Sequence, residues 1–96
     1  MKYQFVSDNI EMSPSMEALA KEKFARIESR AQKVKGGPKF ARIVMNKAPE
    51  DQFQVKAKVV IKRDEYFSDE TSFTLENALI NTVDELIEMM EKDKRR

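Results

Sequence analysis

Between Lys39 and Arg63 the apolar residues recur at every second position, and on both sides of that stretch they recur at intervals of three and four. A period of two marks a pleated strand with one buried face, and a period near 3.6 marks a helix with one buried stripe. The clearest strand runs from Phe53 to Arg63. Phe53, Val55, Ala57, Val59 and Ile61 point one way, and Gln54, Lys56, Lys58, Val60 and Lys62 the other. Lys39 to Lys47 alternates in the same manner, with Ala41, Ile43 and Met45 opposite Phe40, Arg42, Val44 and Asn46. Only one face of such a sheet is apolar, so both helices belong on that face and the other meets water.

Local signals set the boundaries. Lys2 to Val6 alternates and reads as a short first strand. Ser13-Pro14 supplies a helix N-cap and a proline at the first helical position, with Glu17 in the first turn. Met16, Leu19, Ala20, Phe24, Ile27, Ala31 and Val34 form the stripe of that helix. Gly36-Gly37-Pro38, holding the only two glycines of the chain, ends it. Ala48-Pro49-Glu50-Asp51 is a turn, and Asp64-Glu65 is a tight reversal that predicts a hairpin into Tyr66–Phe73. This fourth strand is polar, as an edge strand is. Thr74 caps a second helix, whose stripe is Leu75, Ala78, Leu79, Val83, Leu86, Ile87 and Met90. The order is β-α-β-β-β-α, with strands one and two parallel across the first helix. The expectation is a single α+β domain over residues 1–96, with a four-stranded mixed sheet and both helices on one face.

Composition removes most chemistry. The chain has neither cysteine nor histidine, so disulfides, thiolate metal sites, cysteine nucleophiles and the commonest general base are excluded. Ser13, Ser15 and Thr74 fit capping or first-turn roles, and Glu85, Glu88 and Glu91 fit a solvated helix face. Two glycines that end a helix leave none for a phosphate-binding loop. Asp64-Glu65 and Asp69-Glu70 lack the spacing of a calcium loop. No catalytic residue, metal or cofactor is expected, and the chain reads as no enzyme. No apolar run reaches the ~20 residues of a membrane span. The segment Met1-Lys2-Tyr3-Gln4-Phe5-Val6 has no signal-peptide core, so no membrane association and a cytoplasmic location are expected.

The formal net charge of +1 conceals a segregated distribution. Residues 1–63 carry fourteen Lys/Arg against seven Asp/Glu, a balance of +7, and residues 64–93 carry a balance of −9. Lys94-Arg95-Arg96 returns +3. On helix one, Lys23, Arg26, Arg30 and Lys33 share one face beside the core stripe. A possible secondary basic face lies on the open side of the sheet, with Lys56, Lys58 and Lys62 along strand three and Arg42 beside them. Lys2, Lys35 and Lys39 lie near in sequence, and Lys92, Lys94, Arg95 and Arg96 gather at the end. Rows of cations suit a nucleic-acid backbone. Phe40 alone is placed to stack on a base, which points to folded RNA rather than to a single strand.

The segments Asp8-Asn9-Ile10-Glu11-Met12-Ser13 and Lys23-Phe24-Ala25-Arg26-Ile27-Glu28 resemble the first third of the ribosome hibernation promoting factor and ribosome-associated inhibitor family. Members of that family share the order derived above, a fold similar to the double-stranded-RNA-binding domain with an extra first strand. The resemblance implies a factor that binds the small ribosomal subunit and its rRNA near the decoding region, inhibits translation and promotes hibernation under stress. Lys23 and Arg26 match the family's rRNA-facing positions of helix one, with Arg30 and Lys33 on the same side. Asp84, Leu86, Lys92 and Lys94 fall at the family's Asp, Leu and terminal lysines. Thr74-Leu75-Glu76-Asn77-Ala78-Leu79-Ile80 departs from the family's Asp-x-Tyr-x-Ala-Ile-Asp, and Glu85 and Glu88 stand where it is more basic. The chain looks like the short form, without the added domain that long members use to pair ribosomes.

The predicted rRNA-binding set is therefore Lys23, Arg26, Arg30, Lys33, Lys92, Lys94, Arg95 and Arg96. The expected partner is the small subunit, with no DNA and at most weak self-association of a monomer. Two other readings stay open: a protein-interaction module whose acidic second helix docks a basic partner, and a general binder of double-stranded RNA.

Overall fold

The computed structural model describes residues Met1 to Lys94. Its elements are β1 (Lys2–Val6), α1 (Pro14–Gln32), β2 (Lys39–Ala48), β3 (Gln52–Ile61), β4 (Asp64–Ser72) and α2 (Leu75–Lys94). The strands lie in the order β1-β2-β3-β4. β1 runs parallel to β2, and the other two pairings are antiparallel. The α+β order and the mixed sheet expected from periodicity are those found.

The alternation settles which faces bury. Ala41, Ile43 and Met45 of β2 and Val55, Val59 and Ile61 of β3 join Phe24 and Ile27 of α1 and Leu79, Val83 and Leu86 of α2 in one core. Each large apolar side chain withdrawn from water there stabilises the fold by about 1.5–3 kcal/mol. β4 is an edge strand as predicted, turning Tyr66 inward and Phe67 and Asp69 outward. Its exposed carboxylates discourage pairing with another chain.

The start of α1 follows the sequence signal. Ser13 Oγ accepts the Met16 N–H at 3.2 Å, with Pro14 next in line. At α2 the Thr74 hydroxyl oxygen accepts the Asn77 N–H at 3.0 Å. The end of α1 differs from expectation, because the helix stops at Gln32 and not at the glycines. Its last turn tightens, with the N–H groups of Lys33 and Val34 donating to the carbonyls of Arg30 and Ala31 at 3.2 and 3.1 Å. Such short-range bonds satisfy the helix-end carbonyls without a left-handed cap. Gly36 and Gly37, at φ of +69° and +78°, instead turn the chain back toward β2.

The β3–β4 reversal also moves. Ile61 pairs directly with Asp64, so the two-residue turn is Lys62-Arg63, and Asp64-Glu65 already belongs to β4. Lys62 therefore leaves the open sheet face where alternation had placed it, and takes a left-handed φ of +58°. The alternating pattern of β3 ran on past its last paired residue because a turn of two residues leaves no gap in it.

Candidate nucleic-acid interface

The basic face of α1 is built as expected, but α2 answers it with carboxylates. Arg26 Nη1 lies 2.8 Å from Asp84 Oδ1, with both side chains more than half exposed. Arg30 pairs with Glu91. Lys23 is half-buried beside Ile80 and Val83, and Lys33 is exposed. Among the described residues neither lysine has an ion-pair partner. Lys92 stands 3.6 Å from Glu88 one turn away on α2. Arg95, Arg96 and the Lys94 side chain lie outside the described residues. Of the predicted rRNA set, the structure brings Lys23, Arg26 and Arg30 along α1, with Lys33 at its C-cap.

The open sheet face holds Arg42, Lys56 and Lys58 together around a groove of about 550 Å³, but not Lys62. Arg42 and Lys58 are register partners. Lys58 Nζ sits 3.3 Å from Glu65 and 5.7 Å from the centre of the Phe67 ring. Lys56 faces Asp69 across the ladder, and Asp69 accepts the Gln54 amide at 3.0 Å. The acids of β4 thus offset part of this face. Phe67 and Phe73 are 57% and 68% exposed, whereas Phe40 is half-buried, so on this groove the aromatic side chain open to a base is Phe67. The sequence signal for it was its outward parity on an edge strand.

Glu85 is not the solvated carboxylate expected from its helical position. It lies against Glu70, whose carboxyl is held above the usual range by burial, then by the Glu85 charge and a hydrogen bond with it. Carboxyl groups so close favour sharing a proton. Tyr3 donates to Glu28 Oε2 at 2.8 Å, and its hydroxyl is pushed well above its ordinary pKa by burial first and that carboxylate second. Tyr66 is raised in the same way, by burial and then by its bond to Asp93. These are features of packing between the helices and the sheet. Among the described residues no group of three carboxylates is arranged to hold a metal ion, and no helix is long and apolar enough to cross a membrane.

Solved structures share this fold, two of them over nearly the whole chain. The N-terminal domain of Thermus thermophilus Protein Y superposes with a TM-score of 0.79 at 19% identity, covering 96% of this chain and 98% of that one. A ribosomal subunit interface protein from Coxiella burnetii gives a TM-score of 0.83 at 17% identity, with 100% of each chain covered. At such identities the likeness is one of fold. No curated protein sequence matches the chain. The family model described as sigma 54 modulation protein / S30EA ribosomal protein matches residues 3–96. With that match spanning nearly the whole sequence and the same fold in both neighbours, the chain belongs to the sigma 54 modulation / S30EA ribosomal protein family.

Proposed function

We propose that this chain is a non-catalytic factor of the cytoplasm that binds the small ribosomal subunit through its rRNA, and so inhibits translation or promotes ribosome hibernation under stress. The observation that carries the reading is the family match over residues 3–96. The surface supports it, since α1 and its C-cap residue present Lys23, Arg26, Arg30 and Lys33 along one side. Each phosphate neutralised by such a side chain releases condensed counterions, which drives association and makes it depend on salt. Arg26 is available despite its partner. An exposed pair such as Arg26–Asp84 is worth only about 0.2–1 kcal/mol, so phosphate oxygens compete with the carboxylate at little cost. Phosphate contacts of this kind position a protein on folded RNA without reading bases.

In the alternative, acidic α2 docks a basic partner, and its carboxylates Asp84, Glu91 and Glu88 stand in ion pairs with Arg26, Arg30 and Lys92 of the same chain. The test is sedimentation of the chain with purified small subunits at two salt concentrations. Binding at the lower salt, weakened at the higher, and lost in a Lys23→Glu, Arg26→Glu variant is the expected result. Failure of the wild-type chain to sediment with subunits overturns the proposal, and an unchanged variant overturns the assignment of this helix face.

A further inference from the structure

The α1–β2 loop and the β3–β4 turn meet at one end of the sheet. The Lys62 N–H donates to the Pro38 carbonyl at 2.7 Å, and the Lys39 ammonium donates to the Val34 carbonyl. Lys62 and Arg63 of the turn line this junction with Gly37 and Pro38, and Lys35 precedes the two glycines in the loop; all three cations are exposed. Among the described residues none of these cations is in an ion pair. Asp64 is the carboxylate that shares the cleft with Lys62 and Arg63.

Two backbone choices here run against local economy. The first position of a two-residue hairpin turn with positive φ favours glycine, yet this chain places Lys62 there at +58°. Glycine is used instead at Gly37, where an added Cβ would lie 2.5 Å from Lys62 Cγ. The loop is thus emptied so that the Lys62 stem can cross it, while the turn keeps a side chain its backbone would more easily do without. Glu50 and Asp51 of the β2–β3 turn also take positive φ, and Lys62 differs from them in being a cation whose stem packs over a glycine.

We infer that Lys35, Lys62 and Arg63 form a second contact for the phosphodiester backbone of folded RNA, at the end of the sheet and apart from the paired arginines of α1. The inference rests on the RNA reading above and adds a surface to it. The chemistry fits a polyanion better than a protein. Protein interfaces centre on buried aromatic or aliphatic anchors, and Pro38 and Gly37 between these cations offer none. The guanidinium of Arg63 suits bidentate phosphate binding.

The test measures affinity against salt for the full chain, with small subunits and with a plain RNA duplex, beside polyglutamate as a competitor polyanion. A variant carrying Lys35→Gln, Lys62→Gly and Arg63→Gln should show a log-log salt slope on the duplex shallower by about 3, near 0.9 for each lost phosphate contact. Lys62→Gly alone should weaken binding and leave Tm equal or higher, a split that damage to the fold would not produce. Affinity and slope equal to wild type overturn the inference, as does a wild-type chain that binds neither RNA. Polyglutamate bound as tightly as the duplex, with the same dependence on these cations, overturns the assignment to RNA. A wild-type chain that binds the duplex through these side chains but not the subunits overturns the ribosome reading and supports this one.

Discussion

Arg26 of α1 and Asp84 of α2 join the helices across their exposed side, with Nη1 2.8 Å from Oδ1. Arg30 and Glu91 repeat the contact further along, so the helices run in the same direction and a basic stripe is bridged by an acidic one. If RNA meets α1, these carboxylates oppose it twice, by occupying the arginines and by repelling phosphate. Asp84→Asn with Glu91→Gln should therefore raise affinity for small subunits several-fold at low salt and steepen the salt dependence by up to about 2 in log-log slope. The cost in stability should stay near 0.2–1 kcal/mol for each exposed pair, to order of magnitude. Sedimentation and urea unfolding of the same variant measure both quantities. Unchanged affinity would show that RNA does not meet this side of the helix.

The contact of Glu70 with Glu85 has the opposite sign. Glu70 holds its proton more tightly in the fold than in the unfolded chain, where its ordinary value is 4.5. The native state then binds more protons, so this residue's contribution favours folding below that value and is lost as pH rises through the elevated one. Near neutral pH the pair is a net liability. Glu70→Gln should stabilise the fold at neutral pH by on the order of a few tenths of a kcal/mol, since solvent screens the pair, and flatten the stability profile above about pH 4.5. Thermal melts across mildly acidic to neutral pH check it, and a variant that loses stability throughout would refute the account.

The core was legible in the sequence because burial imposes periodicity, and Phe24, Ile43, Val59 and Leu86 sit where period alone puts them. Caps at Ser13 and Thr74 were legible because a hydroxyl before an amphipathic run has one common use. The turn at Lys62-Arg63 was not, since neither residue is a turn former and the strand pattern runs through it. The site was less legible still. Spacing placed Arg26 and Arg30 on one face, but the pairing with Asp84 and Glu91 depends on how helices separated in sequence by three strands come together. The contact of Pro38 with Lys62 arises from a loop and a turn meeting in space, and no local pattern records that.

The two adjacent glycines should differ sharply. An L-residue in the left-handed region costs roughly 1–2 kcal/mol, and both positions carry that penalty. At Gly36 an added Cβ has nothing within 4 Å, whereas at Gly37 it would lie 2.5 Å from Lys62 Cγ and 3.2 Å from Lys62 Cα. Gly36→Ala should cost about 1 kcal/mol and Gly37→Ala about 1–2 kcal/mol more, because the Lys62 backbone must also shift. Restoration of part of that difference by Lys62→Gly in the Gly37→Ala background would identify the clash as the cause. Equal losses at the two glycines would remove it.

Tyr3 fixes the first strand to α1, its hydroxyl donating to Glu28 Oε2 at 2.8 Å while the N-terminal ammonium lies 3.9 Å from Oε1. A hydrogen bond to a charged acceptor contributes about 1.5–3 kcal/mol, and the partial exposure of Glu28 puts this one at the lower end. The raised pKa adds a pH signature. The folded chain keeps the phenol neutral where the unfolded chain begins to ionise at its ordinary 10.0. The contribution is therefore complete below that value and declines as pH rises through it toward the elevated one. Tyr66 behaves alike, held by Asp93. Tyr3→Phe should lower stability by about 1.5 kcal/mol near neutral pH and reduce, without abolishing, the loss between about pH 9.5 and 11, because Tyr66 still titrates. Urea midpoints at neutral and alkaline pH measure this. A Tyr3→Phe chain with an alkaline profile identical to wild type would place the whole effect on Tyr66 and leave the Tyr3–Glu28 bond without a proton-linked role.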